Sequence, residues 1–153
     1  TFDMNLCLTE VLNILKPLYL KKQIAINNRI LPDTLIMADY QKLQQIFFNI
    51  VSNAIKFTSE GGKIEITAKS TKKYITVHIK DNGIGIASKH HKKIFKKFEQ
   101  INPSSTEGMN STGLGLTITK ELVKMHNGTI KVESELTKGA TFSITMPIKS
   151  IVA

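Results

Sequence analysis

Residues 40–58 read YQKLQQIFFNIVSNAIKFT, and within them Leu43, Ile46, Phe47, Ile50, Val51, Ala54 and Ile55 recur three and four residues apart. That spacing winds the apolar side chains onto one stripe, so the segment predicts an amphipathic α-helix facing a core. Asp39 stands immediately before it, where a carboxylate can take a free N–H of the first turn. Beside the apolar stripe, Asn49, Asn53 and Lys56 fall at i, i+4 and i+7 and form a polar one. Two amides and an ammonium on one face suit a metal ion and a phosphate. On spacing alone the ordinary solvated flank of a surface helix is the favoured reading.

Downstream, a Gly61–Gly62 turn leads to the alternating Ile64, Ile66 and Ala68, and after a polar STKK turn the alternation resumes at Ile75, Val77 and Ile79. These two runs predict neighbouring antiparallel strands. The parity that turns Ile75, Val77 and Ile79 inward also turns Asp81 inward, and a carboxylate there needs partners. The residues after it, Asn82 to Ile86, hold two glycines that permit close approach of another group; an Asx-type turn accounts for them equally well.

Upstream, Leu8, Val11, Leu12, Leu15, Leu18 and Tyr19 predict a helix behind an Asn5 cap, bent or interrupted at Pro17. Ile24, Ile26 and Ile30 alternate as in a strand, and an LPDT turn precedes the short apolar run Leu35 to Ala38. Beyond the strands, Asn102 to Gly115 reads as a long loop inside one domain. It is followed by a helix from about Leu116 to Met125, a turn at Asn127 and Gly128, and alternating runs from Thr129 to Glu135 and Ala140 to Met146. Helices and strands mix without a βαβ repeat, which predicts an α+β fold with helices packed on one face of a mixed sheet.

The chain has 153 residues, 41% hydrophobic and 22% charged, and is read as one globular domain over 1–153. No apolar run reaches the roughly 20 residues of a membrane helix, and the N-terminus lacks a signal-peptide pattern, so a soluble, cytoplasmic chain is expected. The single cysteine, Cys7, excludes an internal disulfide framework. A net charge of +9 raises the question of nucleic acid, but Arg29 is the only arginine, and lysine lacks the bidentate fork that reads guanine. Neither nucleic acid nor a membrane is therefore expected as a partner. The lysine-rich Lys89 to Lys97 reads as a solvated basic surface, with docking to an acidic partner as the second reading. There is no P-loop, and Ser88 and Ile118 stand where a third glycine would complete a dinucleotide fingerprint. The HRDLxxxN and DFG motifs of serine/threonine and tyrosine kinases and the GxSxG of hydrolases are missing too.

A third chemical element is Ser111 to Leu116 at a helix mouth, where unpaired N–H groups and the helix dipole favour an anion. In chain order, QQIFFNIVSNAIKFT (44–58), DNGIGI (81–86), IFKKFEQ (94–100), STGLGLTITK (111–120) and KGATF (138–142) resemble the N, G1, F, G2 and G3 boxes of the sensor histidine kinase catalytic domain, in the GHKL superfamily. The resemblance spans nearly the whole chain. It implies a Bergerat ATP-binding fold, a two-layer α/β sandwich whose mixed sheet is covered on one face by helices, with a mobile ATP lid over Asn102 to Thr112. It also implies ATP and Mg²⁺ as ligands. Asn53 and Asn49 would then hold the metal, Lys56 would approach the phosphates, and these three would be the catalytic set. Phe57 would pack on the adenine, Asp81 would accept from its amino group, and Gly83, Gly85 and Ile86 would shape its pocket. Phe98 belongs to the F box, and Thr112, Gly113, Leu114, Gly115 and Leu116 to the phosphate-facing helix mouth. Thr141 is similar to the threonine that supports the aspartate.

The reaction so implied is transfer of the ATP γ-phosphoryl group to a histidine on separate dimerisation helices, for relay to a response-regulator receiver domain. His78, His90, His91 and His126 have no acceptor context and read as surface or packing residues. ATPases of the same superfamily, such as those of DNA gyrase, the Hsp90 chaperones and the MutL proteins, carry a glutamate at the Asn49 position, and an amide is no general base at neutral pH. Anti-sigma-factor serine kinases stay open as an alternative, as does a nucleotide-binding scaffold without catalysis. The latter rests on Glu107, where many relatives place a basic lid residue, and on Ser111, which replaces a glycine.

Overall fold

The computed structural model describes residues 1–96 and 115–149. In chain order they form β1 (Phe2–Asp3), α1 (Met4–Lys21), β2 (Ala25–Asn28), β3 (Leu35–Ile36), α2 (Tyr40–Phe57), β4 (Lys63–Ser70) and β5 (Tyr74–Asp81). Two short 3₁₀ turns, Ser88–His90 and Lys93–Phe95, lead on to α3 (Gly115–Met125), β6 (Thr129–Ser134) and β7 (Ala140–Pro147). The main sheet has the order β2-β4-β5-β7-β6, with β2 parallel to β4 and every other pair antiparallel. β1 and β3 form a separate two-stranded ribbon.

Alternation along the strands decides which sheet face carries the core. Ile64 and Ile66 of β4, Ile75, Val77 and Ile79 of β5, and Phe142, Ile144 and Met146 of β7 are all buried in one cluster with the apolar stripes of the helices. The other face is polar, with Thr76 hydroxyl-bonded to Thr145 at 2.9 Å and the His78 ring to Ser143 at 2.8 Å. A sheet wet on one face and helix-covered on the other is the expected two-layer sandwich. All seven apolar residues of the α2 stripe are buried. Truncating a ring such as that of Phe47, fully enclosed, would cost about 3–5 kcal/mol.

α2 begins as the sequence predicts: Asp39 is its N-cap, and its carboxylate accepts the Lys42 N–H at 3.0 Å, which holds the carboxyl below the usual range. α1 departs from expectation at its cap, and it is not interrupted at Pro17. Its cap is Asp3, not Asn5. The Asp3 carboxylate accepts from Asn5 N at 2.9 Å and from Asp33 N at 3.0 Å, while the Asn5 side chain accepts from Asn28 across the fold. Pro17 sits inside an unbroken helix, on its exposed side with Asn13 one turn earlier, where water can meet the carbonyl that loses its donor. Among the described residues no helix is long and apolar enough to cross a membrane. The lid over Asn102 to Thr112, with Glu107 and Ser111, lies outside the described residues.

Candidate functional site

In the polar stripe of α2, Asn49, Asn53 and Lys56 are all half-buried. Asn49 does not point idly to solvent. Its Nδ2 donates to the Gly115 carbonyl of α3 at 3.2 Å, and the Thr119 hydroxyl donates to the same oxygen at 2.8 Å. With the amide nitrogen so engaged, Asn49 Oδ1 is left as an acceptor. Lys56 Nζ lies 5.1 Å from the centroid of the Phe57 ring, a cation–π distance, and partial burial lowers the pKa of its ammonium.

The C-terminus of α2 is secured by a residue that no pattern in the sequence marked. Lys22 Nζ, from the end of α1, donates to the carbonyls of Ile55 at 2.8 Å and Lys56 at 3.0 Å. These carbonyls have no intrahelical donor, and a cation there also meets the negative end of the helix dipole. The free carbonyl of Phe57 accepts from Ile84 N at 3.2 Å, so the same helix end anchors the loop after Asp81.

Asp81 is buried at the end of β5, with 4% of its surface exposed. Its Oδ1 accepts both the Gly83 N–H at 2.9 Å and the Ala140 N–H at 3.3 Å. No buried side-chain polar atom among the described residues lacks a partner, so Oδ2, which neither donor takes, still reaches open space. Burial pushes the carboxyl pKa up, and the two N–H bonds oppose it in part. A carboxylate with one oxygen locked and one presented is built to accept a hydrogen bond from outside the chain.

The loop 82–86 fits tightly around this group. A Cβ on Gly83 would collide with the Phe57 carbonyl oxygen, and one on Gly85 with that of Glu135; Gly85 also adopts φ +72. Only glycine meets both demands. Ile86 is half-buried, and its carbonyl bonds the His91 ring at 3.0 Å.

Thr141 is the site expectation that the structure corrects. It pairs with Lys80 and Glu133, one residue out of phase with the Asp81–Ala140 pair, so its side chain stands on the polar sheet face away from Asp81. Support for the aspartate comes instead from the Ala140 N–H. Of the other expected residues, Gly115 and Leu116 open α3, with Leu116 packed against the core. Phe95 meets Phe142 edge-on at 6.4 Å, carries Lys120 over its ring at 5.7 Å and accepts the Thr117 hydroxyl at its carbonyl. Phe98, Thr112, Gly113 and Leu114 lie outside the described residues. His126 is fully buried between α3 and α2: its Nδ1 bonds the Leu122 carbonyl at 2.8 Å and its Nε2 accepts from Asp39 N at 3.2 Å. The ring is a packing residue, as its sequence context indicated.

Residues 38–150 match the family described as histidine kinase-, DNA gyrase B- and HSP90-like ATPase. The chain belongs to this family. Within it the relatives are sensor kinases. The autoinducer 2 sensor kinase/phosphatase LuxQ of Vibrio vulnificus is 40% identical over 144 residues, which cover 90% of this chain and 17% of LuxQ. The catalytic domain of histidine kinase ThkA superposes with a TM-score of 0.84 at 29% identity, over 97% of this chain and 94% of that one. Full-length ShkA, solved in complex with AMPPNP, superposes at 0.83 with 31% identity, over 99% of this chain and 31% of that one. ThkA in complex with the response regulator protein TrrA superposes at 0.75 with 26% identity, over 95% of this chain and 40% of that one. This chain is thus a catalytic, ATP-binding domain of the sensor histidine kinase type, and it spans about a fifth of the length of the curated relatives it matches. Neither the anti-sigma serine kinase nor the non-catalytic scaffold is favoured by these relatives.

Proposed function

We propose that this kinase domain binds ATP with Mg²⁺ and delivers the γ-phosphoryl group to a histidine on dimerisation helices outside the 153-residue domain, for relay to a response-regulator aspartate. The observation that carries the reading is Asp81, whose Oδ1 is held by two backbone N–H groups while Oδ2 stays open to accept the adenine amino group. Guanine presents a carbonyl at that position, so the same oxygen would repel it. Gly83, Gly85 and Ile86 wall the base and Phe57 packs on it. Lys56 and the α3 mouth at Gly115 and Leu116, with Thr112, Gly113 and Leu114 before it in sequence, receive the phosphates; Phe98 keeps only its place in the F box. Thr141 is left out of this set.

The residues fit a magnesium ion of the kind that keeps most of its ligands as phosphate oxygens and water. The Asn49 and Asn53 amide oxygens are hard, neutral donors, and no group of three or more His, Cys, Asp or Glu able to hold a metal occurs among the described residues. When bound, the ion neutralises charge on the triphosphate. Asn49 and Asn53 orient it, Lys56 adds positive charge, and the α3 dipole favours the anion. The acceptor imidazole nitrogen forms the N–P bond as the bond from γ-phosphorus to the β–γ bridging oxygen breaks. The attacking nitrogen is the unprotonated one; ADP leaves with that oxygen, and the other ring nitrogen then releases its proton to solvent. An asparagine rather than a carboxylate at position 49 supports transfer to a histidine over activation of water. The domain would work on the cytoplasmic side of its parent protein.

Calorimetric titration with a non-hydrolysable ATP analogue, with and without Mg²⁺ and against GTP, tests the binding half. The transfer half is tested with labelled ATP and a purified acceptor helix pair. A folded chain that binds no nucleotide, or one that hydrolyses ATP without labelling the helices, would sink the proposal.

A further inference from the structure

Ser134 lies at the end of the edge strand β6 in the same cross-strand row as Asp81: Asp81 pairs with Ala140, and Ala140 pairs with Ser134. Alternation turns all three to the helix-covered face. The Ser134 hydroxyl accepts the Ile86 N–H at 2.7 Å and donates to the Gly139 carbonyl at 2.6 Å. A hydroxyl has one proton to give, so donation to Gly139 leaves its lone pairs for Ile86, and both bonds coexist. The two partners belong to the two segments that hold Asp81. Ile86 ends the loop whose Gly83 N–H bonds Asp81 Oδ1, and Gly139 directly precedes Ala140, whose N–H bonds the same oxygen. A backbone bond from Thr137 N to the Ile84 carbonyl at 2.7 Å also joins the segments, and apart from Asp81 itself Ser134 supplies a side chain that spans them.

We propose that Ser134 is a positioning residue for base recognition: its paired bonds to Ile86 and Gly139 set the spacing of the two backbone segments that aim the Asp81 carboxylate. The inference rests on the reading of Asp81 as the adenine acceptor. Ser134 itself touches no part of the nucleotide. A serine that merely finished strand β6 would affect folding without affecting which base is preferred, and the phosphate end of the site lies on other elements, α2 and α3.

The test compares wild type, Asp81→Asn, Ser134→Ala, Ser134→Thr and Ser134→Val in titrations with a non-hydrolysable ATP analogue, its GTP counterpart and inorganic triphosphate, all with Mg²⁺. Thr and Val have nearly the same shape and differ by the hydroxyl, so this pair decides the matter even where the alanine variant folds poorly. Loss of the two bonds is expected to weaken the ATP analogue about tenfold in Ser134→Ala and Ser134→Val. Ser134→Thr should stay close to wild type, and inorganic triphosphate should bind all the Ser134 variants alike. Valine binding the ATP analogue as well as threonine does overturns the proposal. So does an equal fall for ATP, GTP and triphosphate, which marks a general loosening. A wild type with no adenine preference, or an Asp81→Asn variant that keeps it, defeats the Asp81 reading and this inference together. Normal behaviour of those two with an unaltered preference in Ser134→Val defeats this inference alone.

Discussion

Asp81 and Ala140 are cross-strand partners whose contact runs from backbone to side chain: the Ala140 N–H donates 3.3 Å to Asp81 Oδ1, the oxygen that also takes the Gly83 N–H. One carboxylate oxygen is thereby committed to the fold and the other to a ligand. An amide can replace the committed half without replacing the other. Asp81→Asn should keep both backbone bonds through its own Oδ1 and present an NH₂ group where the carboxylate presented an acceptor. Donor then faces donor, so affinity for an ATP analogue should drop by about 100-fold or more, while the thermal midpoint does not fall. Titration calorimetry and thermal denaturation read the two separately; a variant that loses its fold along with its ligand contradicts this division of roles.

The pH dependence of base preference follows from the same group. Burial raises the Asp81 pKa above the ordinary aspartate value of about 4. Because the folded value lies above the unfolded one, the folded state takes up the proton more readily. That contribution to stability is present at low pH and is lost as pH rises through the folded pKa. Adenine binding has the opposite sign, since the carboxylate is the acceptor. The ratio of ATP to GTP affinity, in which titration of the triphosphate cancels, should fall as pH drops, starting above the normal aspartate range. Asp81→Asn should show a flat ratio.

Asn53 is half-buried one turn after Asn49, and its side chain has no hydrogen-bond partner among the described residues. Asn53→Ala should therefore cost little stability and should act on the metal-dependent part of nucleotide affinity. The gain in affinity on adding Mg²⁺ is expected to shrink about tenfold, with binding in the presence of chelator unchanged. Equal losses with and without the ion would place Asn53 outside the metal site.

His126 joins the last turn of α3 to the cap of α2 through Leu122 and Asp39. His126→Leu fills similar space but leaves the Asp39 N–H without its acceptor. The variant should lose about 2 kcal/mol, or roughly 4–8 °C of thermal midpoint, with both helices still formed. Denaturation followed by far-ultraviolet circular dichroism measures it.

Cys7 is fully enclosed in the core, and burial together with the nearby Glu10 charge pushes its thiol pKa up to about 12. Only the thiolate reacts, so the native chain should resist a thiol-specific reagent at neutral pH, with labelling limited by the rate of unfolding. Rapid labelling under native conditions would show that α1 is not seated as described.

The features legible in the sequence are those governed by neighbours along the chain. The seven-residue apolar stripe of α2, its Asp39 cap and the alternation in β4, β5 and β7 repeat with helix or strand periods, and the inward parity of Asp81 follows from counting by twos along its own strand. The order of boxes supplied the chemistry. Tertiary structure decided what depends on pairing between distant segments. Strand register put Ala140, not Thr141, opposite Asp81, because a shift of one residue turns every side chain to the other face. Close packing brought the Lys22 ammonium to the end of a helix 33 residues away and made Asp3, rather than Asn5, the cap of α1. Pro17 stays within its helix because it happens to face water. None of these carries a local signature, since the free energy that selects them comes from groups brought together only when the chain has folded.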